Sequence, residues 1–186
     1  MTFCVAEWAA TADGGRRVLD AARKDGQSVT AKGELLGQIR IDGVKVAHLT
    51  PILTRNGATV ETFRRDGPFE GFEPQQINYC PLRPHHVSDW HMHRIQRDVI
   101  VPLMGEIVVG LYDDREGSPT QGASMTFRAS ERRMAALLVP CGVWHALKNP
   151  DSAPAAYIVL NDRMYIHADP DDWRLKRDEP ALHGIL

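Results

Sequence analysis

Short apolar runs separated by turn-forming residues fill the chain from Ile41 onward, and no other feature restricts the fold as much. The runs are rich in β-branched and aliphatic residues: VKVAHL, ATVETF, DVIVPLMGEIVVGLY, AALLVP and AAYIVL. Turn signals such as Asn56-Gly57 and Asp66-Gly67-Pro68 interrupt them. Many short strands with such turns are typical of an all-β sandwich or barrel. Pro102 lies inside the longest run and predicts a bend or an edge there, because proline cannot donate a ladder hydrogen bond.

Residues 1–40 have a different character and predict a short helical extension before a β domain at residues 41–186. Four small or apolar residues between Val18 and Ala22 recur near helical spacing among charged residues. Gly26 follows them as a helix stop.

Charge and cysteine content exclude several classes of protein. The 24 acidic and 22 basic side chains give a formal net charge of -2, which offers no electrostatic reason to expect nucleic acid or an anionic membrane as partner. Three cysteines, Cys4, Cys80 and Cys141, stand at irregular spacing and predict reduced thiols rather than a disulfide framework. No apolar run approaches the ~18–20 residues that cross a bilayer. We therefore expect a soluble, cytoplasmic protein.

Two histidine motifs carry the candidate chemistry. The first reads His-x-His, four residues, Asp, six residues, Gly, and begins at His91. Residues i and i+2 of a strand face the same side, so His91 and His93 are predicted to enter one space. The second reads Pro-x-Gly-x-x-His-x-x-x-Asn and places His145 on the following strand. These spacings resemble the two motifs of the cupin superfamily, with Asp98 in the place of the usual glutamate.

Two kinds of site fit these residues. Three imidazoles and one carboxylate, from His91, His93, Asp98 and His145, suit zinc, iron, nickel or manganese. In the other interpretation no metal is bound, His91 acts as a base, and His93 donates a hydrogen bond in the pocket. The residues alone leave both open.

Within the cupins, the chain resembles the dTDP-4-dehydrorhamnose 3,5-epimerase branch from about Ile41 to Ile185. The most specific segments are LYDDREGSPTQG, LLVPCGVWHALKN and DPDDWRLKRDEP. The resemblance implies a jelly-roll-like cupin barrel, a homodimer, and a 4-keto-6-deoxyhexose nucleotide as substrate. It implies no required cofactor.

The resemblance also implies roles for individual residues. The base is His91, held by a carboxylate at Glu179 or Asp178, and the acid is Tyr157, with Tyr165 as the second choice. In such a reaction the ketone acidifies the neighbouring carbon, a base removes its proton, and an acid returns a proton on the opposite face. The substrate-binding residues implied are Asn78, His93 and His145. A nucleotide diphosphate also needs cationic partners. The candidates, on segments that could flank the pocket, are Arg64, Arg65, Arg83 and Arg128.

Three positions depart from the family pattern. Ser88 stands where the family has an arginine, Asp98 where it has a lysine, and His93 where it commonly has a glutamine. Two cations that would face a negatively charged intermediate are therefore absent, and a divalent ion in the histidine cluster would supply equivalent stabilisation. The alternative function is thus a metal-dependent cupin enzyme, a dioxygenase or a small-molecule isomerase.

Overall fold

The computed structural model describes residues 24, 26, 27, 29, 31, 41–175, 182 and 184–186. These residues contain twelve β-strands and no α-helix. The strands are β1 (Lys45–His48), β2 (Ile52–Thr54), β3 (Gly57–Thr59), β4 (Gln76–Leu82), β5 (His91–Met92), β6 (Asp98–Met104), β7 (Glu106–Asp113), β8 (Ser124–Ser130), β9 (Ala135–Val139), β10 (Val143–Lys148), β11 (Ala155–Asn161) and β12 (Trp173–Arg174). The predicted helix in residues 1–40 lies outside the described residues. That extension and the boundary at residue 41 stay predictions.

The strands form two five-stranded sheets and one separate hairpin. The first sheet has the order β1-β9-β6-β11-β4, the second has the order β12-β5-β10-β7-β8, and β2 pairs with β3. All pairings are antiparallel. The order alternates between distant parts of the chain, as in a jelly roll, so the predicted all-β cupin fold is confirmed. No helix among the described residues is long and apolar enough to cross a membrane.

Side chains from the inner faces of both sheets form the central core. It joins Ile100 and Leu137 of the first sheet to Leu111 and Leu147 of the second. The outer face of the first sheet is also covered, since Phe69 and its neighbours pack on it. Both faces of β6 are therefore buried. In the second sheet, Trp90, Ile185 and Leu186 lie against Gly110 of β7, and most of β7 is buried as well. Burial of both strands explains why this stretch is a continuous apolar run rather than an alternation.

Pro102 lies within β6, a central strand, so the predicted edge is wrong, whereas the predicted bend agrees with an irregularity in the pairing of β6 with β11. The pairing of β6 with β9 ends at Ile100, and Pro102 therefore has no ladder partner on that side. On the other side its pairing with Tyr157 of β11 coincides with a register shift. The missing N–H costs little because the ladder is already interrupted on one side and bulged on the other.

The glycines of the two histidine motifs occupy tight turns. Gly105 joins β6 to β7 with φ of +69°, and an added Cβ would lie 3.0 Å from the Cβ of Ala155. Gly142 joins β9 to β10 with φ of +79°, and an added Cβ would lie 2.8 Å from the Cγ of Arg115. Both positions require glycine because of the left-handed backbone and the lack of space.

The Ser-Pro-Thr turn after β7 is organised around the carboxylate of Asp113, which is fully buried. Arg115 donates to it from Nε at 2.8 Å and from Nη2 at 2.9 Å. Ser118 donates from Oγ at 2.6 Å and Thr120 from Oγ1 at 2.7 Å. These donors hold the pKa of Asp113 well below its usual range, Arg115 contributing most. The turn is thus a buried ion pair with two hydroxyl groups attached.

Candidate active site

Four candidate residues meet inside the barrel. His91 on β5 and His145 on β10 are direct cross-strand partners, and His93 lies two residues beyond His91. Asp98 begins β6 in the other sheet. One nitrogen or oxygen atom of each residue lies within 4.8 Å of those of the other three. The structure therefore brings together the four residues of the two motifs.

Each imidazole is oriented by a backbone carbonyl that contacts its Nδ1. A carbonyl oxygen only accepts, so Nδ1 carries the proton and Nε2 is left for the cluster. The pairs are His91 with Asp89 at 3.0 Å, His145 with Val143 at 3.1 Å, and His93 with Asp171. In this arrangement Nε2 of each ring either keeps a free lone pair or carries a second proton.

The carboxylate of Asp98 is buried and divides its two oxygens between different partners. Oδ2 lies 3.3 Å from Nε2 of His93 and 3.6 Å from Nε2 of His145. Oδ1 accepts hydrogen bonds of 2.8 Å from the side-chain amides of Gln96 and Asn161. Burial opposes ionisation, but the contacts with His145 and His93 outweigh it and lower the pKa of Asp98 far below its usual range.

The histidines on β5 differ in charge. Burial, followed by the neighbouring His145 ring, lowers the pKa of His91 to about 3, so this imidazole is neutral near pH 7. Burial also acts on His93, but the hydrogen bond and charge of Asp98 together with the Asp171 carbonyl raise its pKa to about 9. The site thus places a neutral imidazole beside an imidazolium–carboxylate pair. Such a combination suits removal of a carbon-bound proton next to a group that becomes negatively charged.

Nε2 of His145 is fully buried and has no hydrogen-bond partner. Its neighbour Oδ2 of Asp98 is an acceptor, so a neutral His145 would place two lone pairs opposite each other. A proton or a cation between them would remove that conflict. Three imidazoles whose Nδ1 atoms are fixed by carbonyls, plus a carboxylate, therefore fit a divalent metal ion as well as a protonated site.

The predicted acid, Tyr157, lies on β11 with its side chain in the central core. Burial raises the pKa of its hydroxyl above the ordinary value, and Cys80 and Asp98 add to this. The phenol is therefore protonated near neutral pH, as an acid must be. Asn78 lies on β4 and donates to Asn161 at 2.8 Å. Asn161 in turn donates to Asp98, so Asn78 is linked to the carboxylate through one intervening side chain. Glu179 and Asp178 lie outside the described residues.

Sequence reasoning missed the support given by Asp171. Its carboxylate accepts the backbone N–H groups of residues 94–96 at 2.8–3.1 Å, and its carbonyl contacts Nδ1 of His93. The DPDDW segment thus clamps the connection between β5 and β6. The sequence analysis singled out this segment, four adjacent acidic or proline residues before Trp173, only as part of the family resemblance, and did not indicate which loop it would reach. Asn161 and Gln96 were missed in the same way.

Three of the four arginines proposed as diphosphate partners pair with carboxylates on the surface. Arg64 contacts Glu61 and Asp66. The other two pairs are Arg65 with Glu73 and Arg128 with Glu106. Arg83 is exposed, and its carbonyl accepts from Asn149. A diphosphate would have to displace existing ion pairs at those three positions.

Comparison with known proteins gives the family. No protein-family model matches the chain. A probable low-salt glycan biosynthesis epimerase, Agl13 of Haloferax volcanii, is 35% identical over 139 residues, 74% of this chain and 89% of its own length. The spore coat polysaccharide biosynthesis protein SpsL of Bacillus subtilis is 30% identical over 143 residues, 76% of this chain and 93% of its own. A dTDP sugar isomerase from Desulfovibrio desulfuricans superposes with a TM-score of 0.71 at 24% identity, covering 77% of this chain and 90% of that one. Sequence and fold agree: the chain belongs to the family of the glycan biosynthesis epimerase Agl13, and it shares the fold of the dTDP sugar isomerase.

Proposed function

We propose that this protein epimerises a 4-keto-6-deoxyhexose carried on a nucleotide diphosphate, at a carbon next to the ketone. The observation that carries the proposal is the neutral imidazole of His91 beside the charged pair of His93 and Asp98, inside the barrel of a sugar epimerase fold. A ketone acidifies the hydrogens on its neighbouring carbons, so a base and an acid on opposite faces of the sugar suffice to invert the centre.

His91 is the proposed base. Its Nδ1–H donates to the carbonyl of Asp89, so its Nε2 lone pair takes the proton from the carbon next to the ketone. The electron pair of the broken C–H bond moves to the ketone oxygen and gives an enolate. Tyr157 then donates its hydroxyl proton to that carbon from the other face, and the enolate collapses to the ketone. Solvent exchange restores the proton on Tyr157 and removes the one on His91.

His93 takes over the task of the lysine that relatives have at the position of Asp98. Its imidazolium is held by Asp98 at 3.3 Å and supplies positive charge near the developing enolate. His145 and Asn78 are the other proposed substrate-binding residues. On the family resemblance Glu179 is the proposed carboxylate near His91, and its effect would be electrostatic rather than a hydrogen bond, because Nδ1 of His91 already donates to Asp89.

Deuterium exchange tests this function directly. The wild-type protein in D2O should incorporate deuterium next to the ketone of a dTDP-4-keto-6-deoxyhexose, followed by NMR. His91→Asn and Tyr157→Phe should each lower the exchange rate by about 10²-fold or more, since each removes a proton-transfer group. His86→Asn is the matched control, because His86 is exposed and contacts the carbonyl of its neighbour Pro84. Exchange at the wild-type rate in His91→Asn would reject the proposed base.

A metal-dependent reaction is the second candidate function, and the orphaned Nε2 of His145 favours it. The ligands would be His91, His93, Asp98 and His145, with zinc, iron, nickel or manganese as the ion. A bound divalent ion would act as a Lewis acid on the ketone oxygen. In that case the Asp89, Val143 and Asp171 carbonyls orient the ligands and fix their tautomers.

Metal analysis of purified variants separates the two candidates. If the site holds a metal, His93→Gln and His145→Gln each lose metal and exchange together, while Tyr157→Phe keeps the metal. If the site is metal-free, His93→Gln retains measurable exchange, because glutamine is the residue of many relatives there. Stoichiometric iron in a wild-type protein that shows no exchange would instead favour the dioxygenase alternative.

We further propose that the protein is a cytoplasmic homodimer. On β4, an edge strand of the first sheet, Ile77 and Tyr79 are 61% and 64% exposed. Pairing with a second copy would bury these side chains and satisfy the free edge. The free thiols of Cys80 and Cys141 suit a reducing compartment. Light scattering should return twice 20.8 kDa, and Tyr79→Lys should shift the mass toward the monomer. Leu53→Lys, at a position 86% exposed outside this sheet, should leave the mass unchanged.

A further inference from the structure

A line of side-chain amides leads from the surface of the barrel to the carboxylate of Asp98. We name it the amide chain, and it consists of Gln76, Asn78 and Asn161. Asn161 is buried and donates from Nδ2 to Oδ1 of Asp98 at 2.8 Å. Asn78 donates to Oδ1 of Asn161 at 2.8 Å, and Gln76 donates to Oδ1 of Asn78 at 3.0 Å. Each amide therefore accepts with its oxygen and donates with its nitrogen.

The direction of the amide chain is fixed by a backbone group. An amide side chain can exchange its oxygen and nitrogen by rotating, so its orientation follows from its partners. The backbone N–H of Tyr165 donates to Oε1 of Gln76 at 2.8 Å, and a backbone N–H has no alternative role. Gln76 must then present its NH2 group to Asn78, and the same constraint passes to Asn161. The last NH2 group in the series must point at Asp98.

This fixed donor determines which oxygen of Asp98 serves the histidines. Oδ1 already accepts from Asn161 and from Gln96, which leaves Oδ2 for Nε2 of His93 and His145. Without Asn161, Oδ1 would keep only the Gln96 donor, and the alignment of the carboxylate with both rings would be held less firmly. Buried networks of this kind hold geometry only while every member is satisfied.

We propose that Asn161 is a positioning residue of the epimerase reaction: through Asn78 and Gln76 its amide fixes the Asp98 carboxylate against His93 and His145. This inference rests on the proposed function, in which His93 supplies charge to the enolate. It assigns Asn78 to the support of the site in addition to any contact with substrate.

The test is a graded series of substitutions along the amide chain. Asn161→Leu keeps the branched shape of the side chain and removes the hydrogen bonds, Asn78→Ala removes the next link, and Gln76→Ala removes the outermost link. We expect kcat for solvent exchange to fall by about 10–100-fold in Asn161→Leu, the decrease typical of a small misplacement of catalytic groups. The decrease should be smaller in Asn78→Ala and smallest in Gln76→Ala. KM for the nucleotide sugar should stay within about twofold of wild type in Asn161→Leu, because positioning acts on the chemical step.

Asn149→Ala is the matched control. Asn149 is also fully buried, but its amide donates to the backbone carbonyls of Leu82, Arg83 and Ala153 in a loop. It should lower the melting temperature without a selective decrease in kcat. A second readout needs no substrate: long-range 1H–15N spectra of the imidazole groups at one pH, in chelator-treated protein. The His93 signals should move in Asn161→Leu, less in Asn78→Ala, and remain in place in Asn149→Ala.

The outcomes separate this inference from the proposed function. Wild-type kcat and unmoved His93 signals in Asn161→Leu would overturn the positioning role while the epimerase activity stands. If the wild-type protein shows no exchange, the proposed function fails, and the His93 signals alone decide the role of Asn161. If Asn161→Leu does not fold, the measurements on Asn78→Ala, at an exposed position, decide whether the amide chain positions Asp98. In that case an unchanged kcat and unmoved His93 signals in Asn78→Ala count against the amide chain.

Discussion

Replacing Asp113 by asparagine should destabilise the protein strongly while leaving its chemistry intact. The carboxylate is fully buried and accepts two hydrogen bonds from the Arg115 side chain, one from Ser118 and one from Thr120. Asparagine has nearly the same shape but keeps one acceptor oxygen, and its NH2 group would face donors. It would also leave the Arg115 guanidinium without its counter-charge.

The expected magnitude is that of breaking a buried ion pair. Removing one partner of such a pair costs about 3–5 kcal/mol. Arg115 retains 24% exposure of its side chain, so water compensates in part for the missing carboxylate. We therefore expect Asp113→Asn to lower the free energy of unfolding by about 3 kcal/mol at pH 7, measured by urea denaturation. Asp114→Asn is the matched control, because the adjacent Asp114 is exposed and should change stability by less than about 0.5 kcal/mol.

The pH dependence gives a second check. The pKa of Asp113 is lowered in the folded protein, so the carboxylate contributes its full stability above its ordinary value of 3.8. That contribution is lost as the pH falls through the lowered folded-state pKa. The gap in stability between wild type and Asp113→Asn should therefore be constant near neutral pH and narrow below about pH 4. A gap under ~1 kcal/mol at pH 7, or one that widens in acid, would refute the ion-pair account.

Three further perturbations test the turns, the core and the contact of Asp171 with the connection between β5 and β6. Gly105→Ala should cost about 1–2 kcal/mol more than Gly117→Ala in urea denaturation, because both have positive φ but only Gly105 meets a neighbouring Cβ; equal costs would contradict the steric argument. Leu137→Ala, at a fully buried core position, should cost about 3 kcal/mol, and a cost below ~1 kcal/mol would mean that the core closes around the cavity. Asp171→Ala should accelerate amide hydrogen exchange at residues 94–96 by about tenfold or more, seen by NMR, because each of those N–H groups loses its acceptor. Unchanged protection there would show that the connection between β5 and β6 keeps its structure without Asp171.

The central histidine geometry could be predicted from sequence because it depends on local rules. Alternation along a strand places His91 and His93 on one side whatever surrounds them. The turn at Gly142 starts β10, so the place of His145 on its strand follows from a nearby residue, whereas its pairing with His91 depends on the sheet order. The run from Asp98 to Asp113 was likewise predicted as strand, because it is rich in β-branched residues and Gly105 divides it into two stretches of strand length. Pro102 misled this reasoning, because its tolerance depends on where β9 stops pairing.

The sequence by itself therefore predicted the all-β class, the apolar strands β1, β6, β7, β9 and β11, and the meeting of the two histidine motifs. It did not predict β4 or β8, whose exposed residues give no continuous apolar run. Tertiary structure decided how those residues are supported. Asn161 reaches Asp98 across 63 residues, and Asp171 reaches the backbone of Arg94 across 77, because sheet order and a returning C-terminal segment bring them together. It also decided that His91 is neutral and His93 charged, although both stand in one motif. The physical reason is that strand alternation is local, whereas burial and the position of one carboxylate depend on the whole fold.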